Sequence, residues 1–159
     1  MLISQGVIGK IEFMKIVQSQ IKRLQQYFAS QKDIVAVYLY GSFAKGGTHK
    51  RSDIDFGVLF KRNANLYHRL GQIYADLCDL NLPVEPEVRE VNPEKSLIYL
   101  RNVIEGRLIY SKDDIVRIRF EVNTMNLFRD TEILRNISNF YMNRRIKEGT
   151  YGFRLPYSK

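Results

Sequence analysis

Cysteine, histidine and long apolar runs are scarce in this chain of 159 residues. A single cysteine, Cys78, excludes an internal disulfide and a cluster of thiolate metal ligands. Two histidines, His49 and His68, are too few for a histidine-rich zinc site. The longest apolar run, Ile34–Tyr40, is far shorter than the roughly 18 residues of a membrane span, and charges interrupt the N-terminal segment too early for a signal peptide. These absences predict a cytoplasmic protein without a membrane partner.

Negative charge is also in short supply, because 25 lysines and arginines face 17 acidic residues, for a net charge of +8. A basic chain attracts anions in general, including nucleic acid, free nucleotides and acidic proteins. Residues 141–159 carry five basic side chains against one acidic residue, Glu148, and the simplest interpretation of that segment is a solvated basic tail. Nucleic-acid binding rests on charge alone, so it ranks last among the functions considered.

Apolar periodicity predicts one domain of the α/β (α+β) class. We expect a small mixed sheet of three to five strands, with helices mainly on one face and a helical C-terminal extension. The predicted strands are rich in β-branched residues and cover Ile34–Tyr40, Ile54–Phe60, Val84–Val91 and Leu108–Tyr110. The predicted helices cover Gly9–Ser30, Leu66 to about Asn81, Pro93–Glu105 and a long segment that opens at Ser111 or Asp113 and ends near Lys147. Pro86 predicts an edge position or an irregularity for the third strand.

The long C-terminal helical segment has two apolar stripes on roughly opposite sides. One stripe contains Ile115, Ile118, Val122 and Met125, and the other contains Val116, Phe120, Leu127, Leu134 and Tyr141. One stripe would cover the sheet, and the other needs a second surface. Either the helix breaks near Asn126 or at Asp130–Thr131 and both pieces pack on one domain, or the second stripe is a subunit interface.

A glycine-rich polar loop between the first two strands carries the residues suited to phosphate chemistry. Gly41 at the end of the first strand allows a ligand to approach the backbone, and Ser42 offers a hydroxyl and a backbone N–H. Asp53 and Asp55 enter the second strand two residues apart, so their side chains point to the same side. Two like charges on one face favour a divalent cation, and Mg²⁺ prefers carboxylates together with phosphate oxygens.

A Gly-Ser pair followed ten residues later by Asp-x-Asp resembles the DNA polymerase β-like nucleotidyltransferase superfamily. The small size and the order of elements look like the minimal nucleotidyltransferases, particularly the MntA-type antitoxin subunits paired with HEPN-domain toxins. Further resemblance lies in Val91–Pro93 and in Glu105–Tyr110. The resemblance implies a minimal nucleotidyltransferase core over residues 1–112, a helical region over 113–148 and a basic aromatic tail over 149–159.

The same resemblance implies roles for individual residues. Nucleotide binding would fall to Gly41, Ser42, Lys45 and Ser52, and two Mg²⁺ ions would be held by Asp53, Asp55 and a third carboxylate, all three of them catalytic. Counting back from Val91 places that carboxylate at Glu87, with Glu85 as the alternative of the same parity. The family usually has Asp at this position, and it commonly has Arg where this chain has Lys45.

The implied function is Mg²⁺-dependent transfer of AMP from ATP to a tyrosine of the cognate HEPN toxin ribonuclease, in a hetero-oligomer with that toxin. Two alternatives remain open. One is a small-molecule adenylyltransferase of the aminoglycoside type, and the other is an antitoxin that blocks its toxin by binding only. The basic composition disfavours the first of these, since a cationic drug requires an acidic acceptor pocket.

Overall fold

The computed structural model describes residues 20–44, 53–61, 66–150 and 152. Four strands are present in that part of the chain: β1 (Ile34–Tyr40), β2 (Ile54–Phe60), β3 (Pro86–Val91) and β4 (Arg107–Ser111). Six helices accompany them: α1 (residues 20–30), α2 (Gly41–Ala44), α3 (Leu66–Asp79), α4 (Leu97–Ile104), α5 (Asp114–Asp130) and α6 (Glu132–Lys147). The N-terminal half of the helix predicted over Gly9–Ser30 lies outside the described residues.

The four strands form one mixed sheet in the order β3-β2-β1-β4. Strand β1 is antiparallel to both β2 and β4, whereas β2 and β3 run parallel. Every residue of β1 is buried, which explains its continuous apolar sequence. Strand β3 lies at an edge, as Pro86 predicted, and it begins at that proline rather than at Val84. The small mixed sheet of an α/β fold is therefore confirmed.

The helices cover both faces of the sheet, so the expectation of helices mainly on one face is wrong. Helices α1 and α3 pack on one face with Phe28 and Leu77, and α4 and α5 pack on the other with Leu100 and Phe120. The reason is that β1 and β2 are apolar on both sides of their pleat, and each side requires its own cover.

Helix α4 begins four residues later than Pro93, where the sequence predicted it. The Asn92 side chain accepts the Glu94 backbone N–H at 2.8 Å, and the Lys95 N–H bonds the Asn92 carbonyl at 3.1 Å. These bonds close a turn over 92–95, so Asn92 caps this turn instead of the helix.

The C-terminal helical segment breaks at Thr131, one of the two predicted positions. The Leu127 carbonyl at the end of α5 accepts both the Thr131 backbone N–H at 3.1 Å and the Thr131 hydroxyl at 2.7 Å. Asp113 caps the start of α5 by accepting the Val116 N–H. Only α5 packs on the sheet, where Phe120 and Thr124 are buried.

Helix α6 does not pack on the sheet domain, contrary to one of the two predictions for this segment. All sixteen of its residues are described and none of them is buried. Its exposed apolar side chains are Ile133, Leu134, Ile137, Phe140, Tyr141, Met142 and Ile146. The predicted stripe on Ile115, Ile118, Val122 and Met125 is exposed as well. Within the described ranges, no helix has the length and apolar content needed to cross a membrane.

Candidate active site

The bend that follows β1 lies directly against the side-chain carboxylate of Asp55 in β2. Gly41 has a φ of +73°, a conformation that side chains disfavour, and it opens the short helix α2 that also carries Ser42. A Cβ atom at this position would collide with the Asp55 carboxylate. Tyr40, the preceding residue, pairs with Asp55 across β1 and β2. The glycine is therefore required for the close approach between the bend and the acidic side chain.

Asp55 and Glu87 lie opposite each other on the parallel strands β2 and β3. Burial raises the pKa of Asp55 to about 6, and a hydrogen bond with Glu87 and the negative charge of that side chain act in the same direction. Arg89 offsets part of this repulsion, because its Nε donates to Glu87 Oε1 at 2.7 Å. Because its pKa is raised, Asp55 keeps its proton to a higher pH than an isolated aspartate does.

The other two acidic candidates occupy different positions. Asp53 is exposed, one residue before β2, and its charge also raises the pKa of Asp55. The Glu85 carboxylate accepts the Tyr74 hydroxyl of α3 at 2.7 Å. Of the two glutamates that the sequence left open, Glu87 is thus the one placed beside Asp55.

The carboxylate oxygens of Asp55 and Glu87 are the ligand type that Mg²⁺ prefers, but the third predicted ligand, Asp53, does not lie in the same cluster. Across residues 20–44, 53–61 and 66–150, no group of three acidic, histidine or cysteine side chains is close enough to hold a metal. Asp55 and Glu87 would supply two of the oxygen ligands of a divalent cation bound here. Asp53 stands one strand repeat away, about 6.6–6.8 Å along the backbone, from where its side chain can turn toward the pair.

Two tyrosines lie near the carboxyl pair, and a cavity lies on the far side of Arg89. The rings of Tyr40 and Tyr99 meet edge to face with centroids 5.7 Å apart, and the Tyr99 hydroxyl donates to the Glu90 carbonyl at 3.0 Å. Burial raises the pKa of both tyrosines, so both keep their protons at neutral pH. A cavity of about 650 Å³ opens beyond Arg89 and is lined by Tyr67 and Tyr99.

The structure describes some of the predicted site residues and not others. Gly41, Asp55 and Glu87 are brought together, and Ser42 follows in the same bend. Lys45 and Ser52 lie outside the described residues. Sequence reasoning missed Arg89, which bonds Glu87; the available signal was its position two residues after Glu87, where a strand places side chains on one face.

Comparisons with known proteins identify the family of this chain. The family described as "Polymerase beta, Nucleotidyltransferase" matches residues 22–115, more than half of the chain. A bifunctional uridylyltransferase/uridylyl-removing enzyme of Pseudoalteromonas translucida (strain TAC 125) is 28% identical over 135 residues. That match takes in 80% of this chain and 15% of the relative, so the chain spans only a small part of the relative's length.

Two solved structures share the fold. A mutant of the toxin–antitoxin MntA–HpeT superimposes with a TM-score of 0.56 at 20% identity, over 79% of this chain and 97% of that chain. A toxin–antitoxin with AMP-PNP gives a TM-score of 0.53 at 15% identity, over 84% of this chain and 98% of that chain. At these identities the likeness shows a common fold.

Proposed function

Because the chain belongs to the polymerase β nucleotidyltransferase family, we propose that it transfers AMP from ATP to a tyrosine of a HEPN-domain toxin and so acts as that toxin's antitoxin. One observation carries the proposal: the Asp55–Glu87 pair lies directly against the Gly41 bend. A nucleotide held at the bend would present its α-phosphate to the two carboxyls. Cytoplasmic location follows from this role.

Some residues of the site would bind the phosphates of the nucleotide, and others would hold the metal ions that activate the acceptor. The absent side chain of Gly41 leaves room for phosphate oxygens at the backbone, and the Ser42 hydroxyl donates to them. Lys45 and Ser52 are assigned to the same phosphates. Asp53, Asp55 and Glu87 would hold the two Mg²⁺ ions, and the chemistry that bound Mg²⁺ would supply is neutralisation of phosphate charge and a more acidic acceptor hydroxyl.

The reaction is an in-line displacement at the α-phosphorus. The acceptor oxygen forms a bond to phosphorus while the bond to pyrophosphate breaks, and the hydroxyl proton passes to Glu87 on the acceptor side. The main contribution of the protein is to orient the two reactants, which can account for much of a rate enhancement. The cavity beside Arg89 and Tyr99 is the space from which the acceptor hydroxyl would approach.

The proposed toxin partner is supported by the solved structures with this fold, which are toxin–antitoxin complexes, one of them with AMP-PNP. The unpartnered apolar side chains of α6 give a second reason, because a patch of this kind commonly marks a protein interface. A protein acceptor also agrees with the basic composition, which disfavours cationic drugs as substrates.

The uridylyltransferase relative favours UTP as a second candidate donor, since its similarity extends over 80% of this chain. The experiment is to incubate the protein, its cognate HEPN-domain toxin and Mg²⁺ with either ATP or UTP, and to measure the mass of the toxin. A gain of one or more AMP masses with ATP is expected. A gain of UMP mass on the toxin would identify UTP as the donor. No gain in toxin mass, under conditions where the two proteins bind, would favour an antitoxin that blocks its toxin by binding only.

A further inference from the structure

A second cleft, of about 590 Å³, lies between α4, α5 and α6. Three guanidinium groups line it, from Arg101, Arg129 and Arg135, against a single acidic residue, Glu132. We propose that this cleft binds an acidic segment of the toxin, one whose carboxylates are flanked by apolar side chains. The inference rests on the proposed function and names where its partner is held.

The arginines are held in place around one aromatic ring. The Arg135 guanidinium carbon lies 3.6 Å from the centre of the Phe128 ring, and that of Arg101 lies 4.6 Å from it. Arg135 also donates to the Thr131 hydroxyl at the break between α5 and α6. Stacking of this kind fixes a guanidinium while its N–H groups remain available to carboxylates.

Two of the three charges lack an acidic partner. Arg101 is paired with Glu105, with Nε 2.6 Å from Oε1. Arg129 bonds the Asn126 amide oxygen at 3.0 Å, and neither Arg129 nor Arg135 forms an ion pair with any residue that the structure describes. Arg135 is half-buried, and a partly desolvated charge is stabilised when a ligand supplies the opposite sign. The cleft therefore complements carboxylates.

The walls of the cleft favour a protein ligand over a nucleic acid. Ile98 is 58% exposed and Met125 is 40% exposed at its rim. The exposed apolar residues of α6 begin at Ile133, next to the same break. A phosphate backbone would leave these apolar side chains in water, whereas a mixed acidic and apolar peptide segment would cover both them and the arginines.

The test measures binding of the full chain to its cognate HEPN-domain toxin by calorimetry, separately from nucleotide transfer. Arg135→Glu and Arg129→Glu should each weaken binding about tenfold or more, because they place like charges against the acidic segment. Arg119→Glu is the matched control, since Arg119 is an exposed α5 residue outside the cleft, and it should bind within about twofold of wild type. Thermal unfolding of each variant checks that the fold is retained, and the exposed Arg129 keeps the test decisive if the Arg135 variant fails to fold.

The outcomes separate this inference from the proposed function. If the cleft variants bind the toxin as tightly as wild type does, the inference is overturned while AMP transfer can still stand. If wild type binds and the variants do not, yet no AMP is transferred at saturating toxin, the cleft stands and catalysis fails. If wild type does not bind the toxin, both fail. Loss of polyuridylate binding in the variants, with toxin binding intact, would reassign the cleft to RNA and reject the inference.

Discussion

The sheet and helix α6 are built on opposite principles, although each is rich in apolar residues. Strand β1 buries all seven of its side chains, and two layers of helices complete its core. Helix α6 buries none of its sixteen residues and leaves seven large apolar side chains in solvent. The apolar side chains of the sheet are buried against helices of the same chain, whereas the apolar side chains of α6 have no such partner surface among the described residues. Apolar content alone therefore does not distinguish a core from an interface.

The same substitution at two phenylalanines, one in the sheet core and one in α6, tests the difference between these two regions. Phe28 is completely buried, and Phe140 is 65% exposed. Phe28→Ala should lower the free energy of unfolding by about 3–5 kcal/mol, the usual cost of emptying a buried aromatic site. Phe140→Ala should change it by less than about 0.5 kcal/mol, as exposed substitutions do. Urea unfolding measures both, and an equal loss for Phe140→Ala would show that α6 packs on the domain after all.

The bend at Gly41 offers a second, smaller effect within the sheet region. Gly41→Ala should reduce nucleotide transfer about 10²-fold, because the new methyl group displaces Asp55 and the positive φ adds backbone strain. Gly71→Ala is the control: it lies in α3 with open space around it, and the alanine should stabilise the helix slightly. Steady-state rates measure both variants. Full activity in the Gly41 variant would separate the bend from the reaction.

Tyr38 ties α5, the helix that precedes α6, to the sheet. Its hydroxyl donates to Glu121 at 2.7 Å, and Arg117 bonds the same carboxylate at 2.9 Å. Tyr38→Phe should cost about 1.5 kcal/mol, because a half-buried carboxylate loses one of its donors. Hydrogen exchange should show faster opening of α5 than in wild type. Tyr67→Phe, at a hydroxyl that is almost fully exposed, should leave both measurements unchanged.

The last expected effect is a pH dependence from the acidic pair in protein kept free of divalent cations. The pKa of Asp55 rises from 3.8 to about 6 on folding, so the folded state binds this proton more tightly than the unfolded state does. The resulting stability is present below pH 3.8 and is lost as the pH rises through about 6. Urea unfolding of wild type and Asp55→Asn across this range should give a difference that grows with pH in favour of the variant. A difference that stays constant would contradict the pairing.

The fold and half of the site could be predicted from local patterns. The alternation of side chains along a strand predicts that Asp53 and Asp55 point to one side. A helix break at Asp130–Thr131 was one of the two positions predicted from the sequence, and the structure has it at Thr131. The choice between Glu87 and Glu85 depends on the register between β2 and β3, which is set by long-range pairing. The start of α4 was misplaced because an Asn-Pro pair can cap a turn as well as a helix. Which apolar stripe of α5 would face the sheet was equally undetermined, because the buried face proved to include polar Thr124.

We propose that Asp55 and Glu87 act together at the Gly41 bend in the transfer of AMP. The most direct test is the mass of the HEPN toxin after incubation with ATP, Mg²⁺ and one of three proteins: wild type, Glu87→Gln or Glu85→Gln. We predict AMP on the toxin with wild type and with Glu85→Gln, and transfer slowed about 10²-fold or more with Glu87→Gln. Transfer by Glu87→Gln at the wild-type rate would contradict the account.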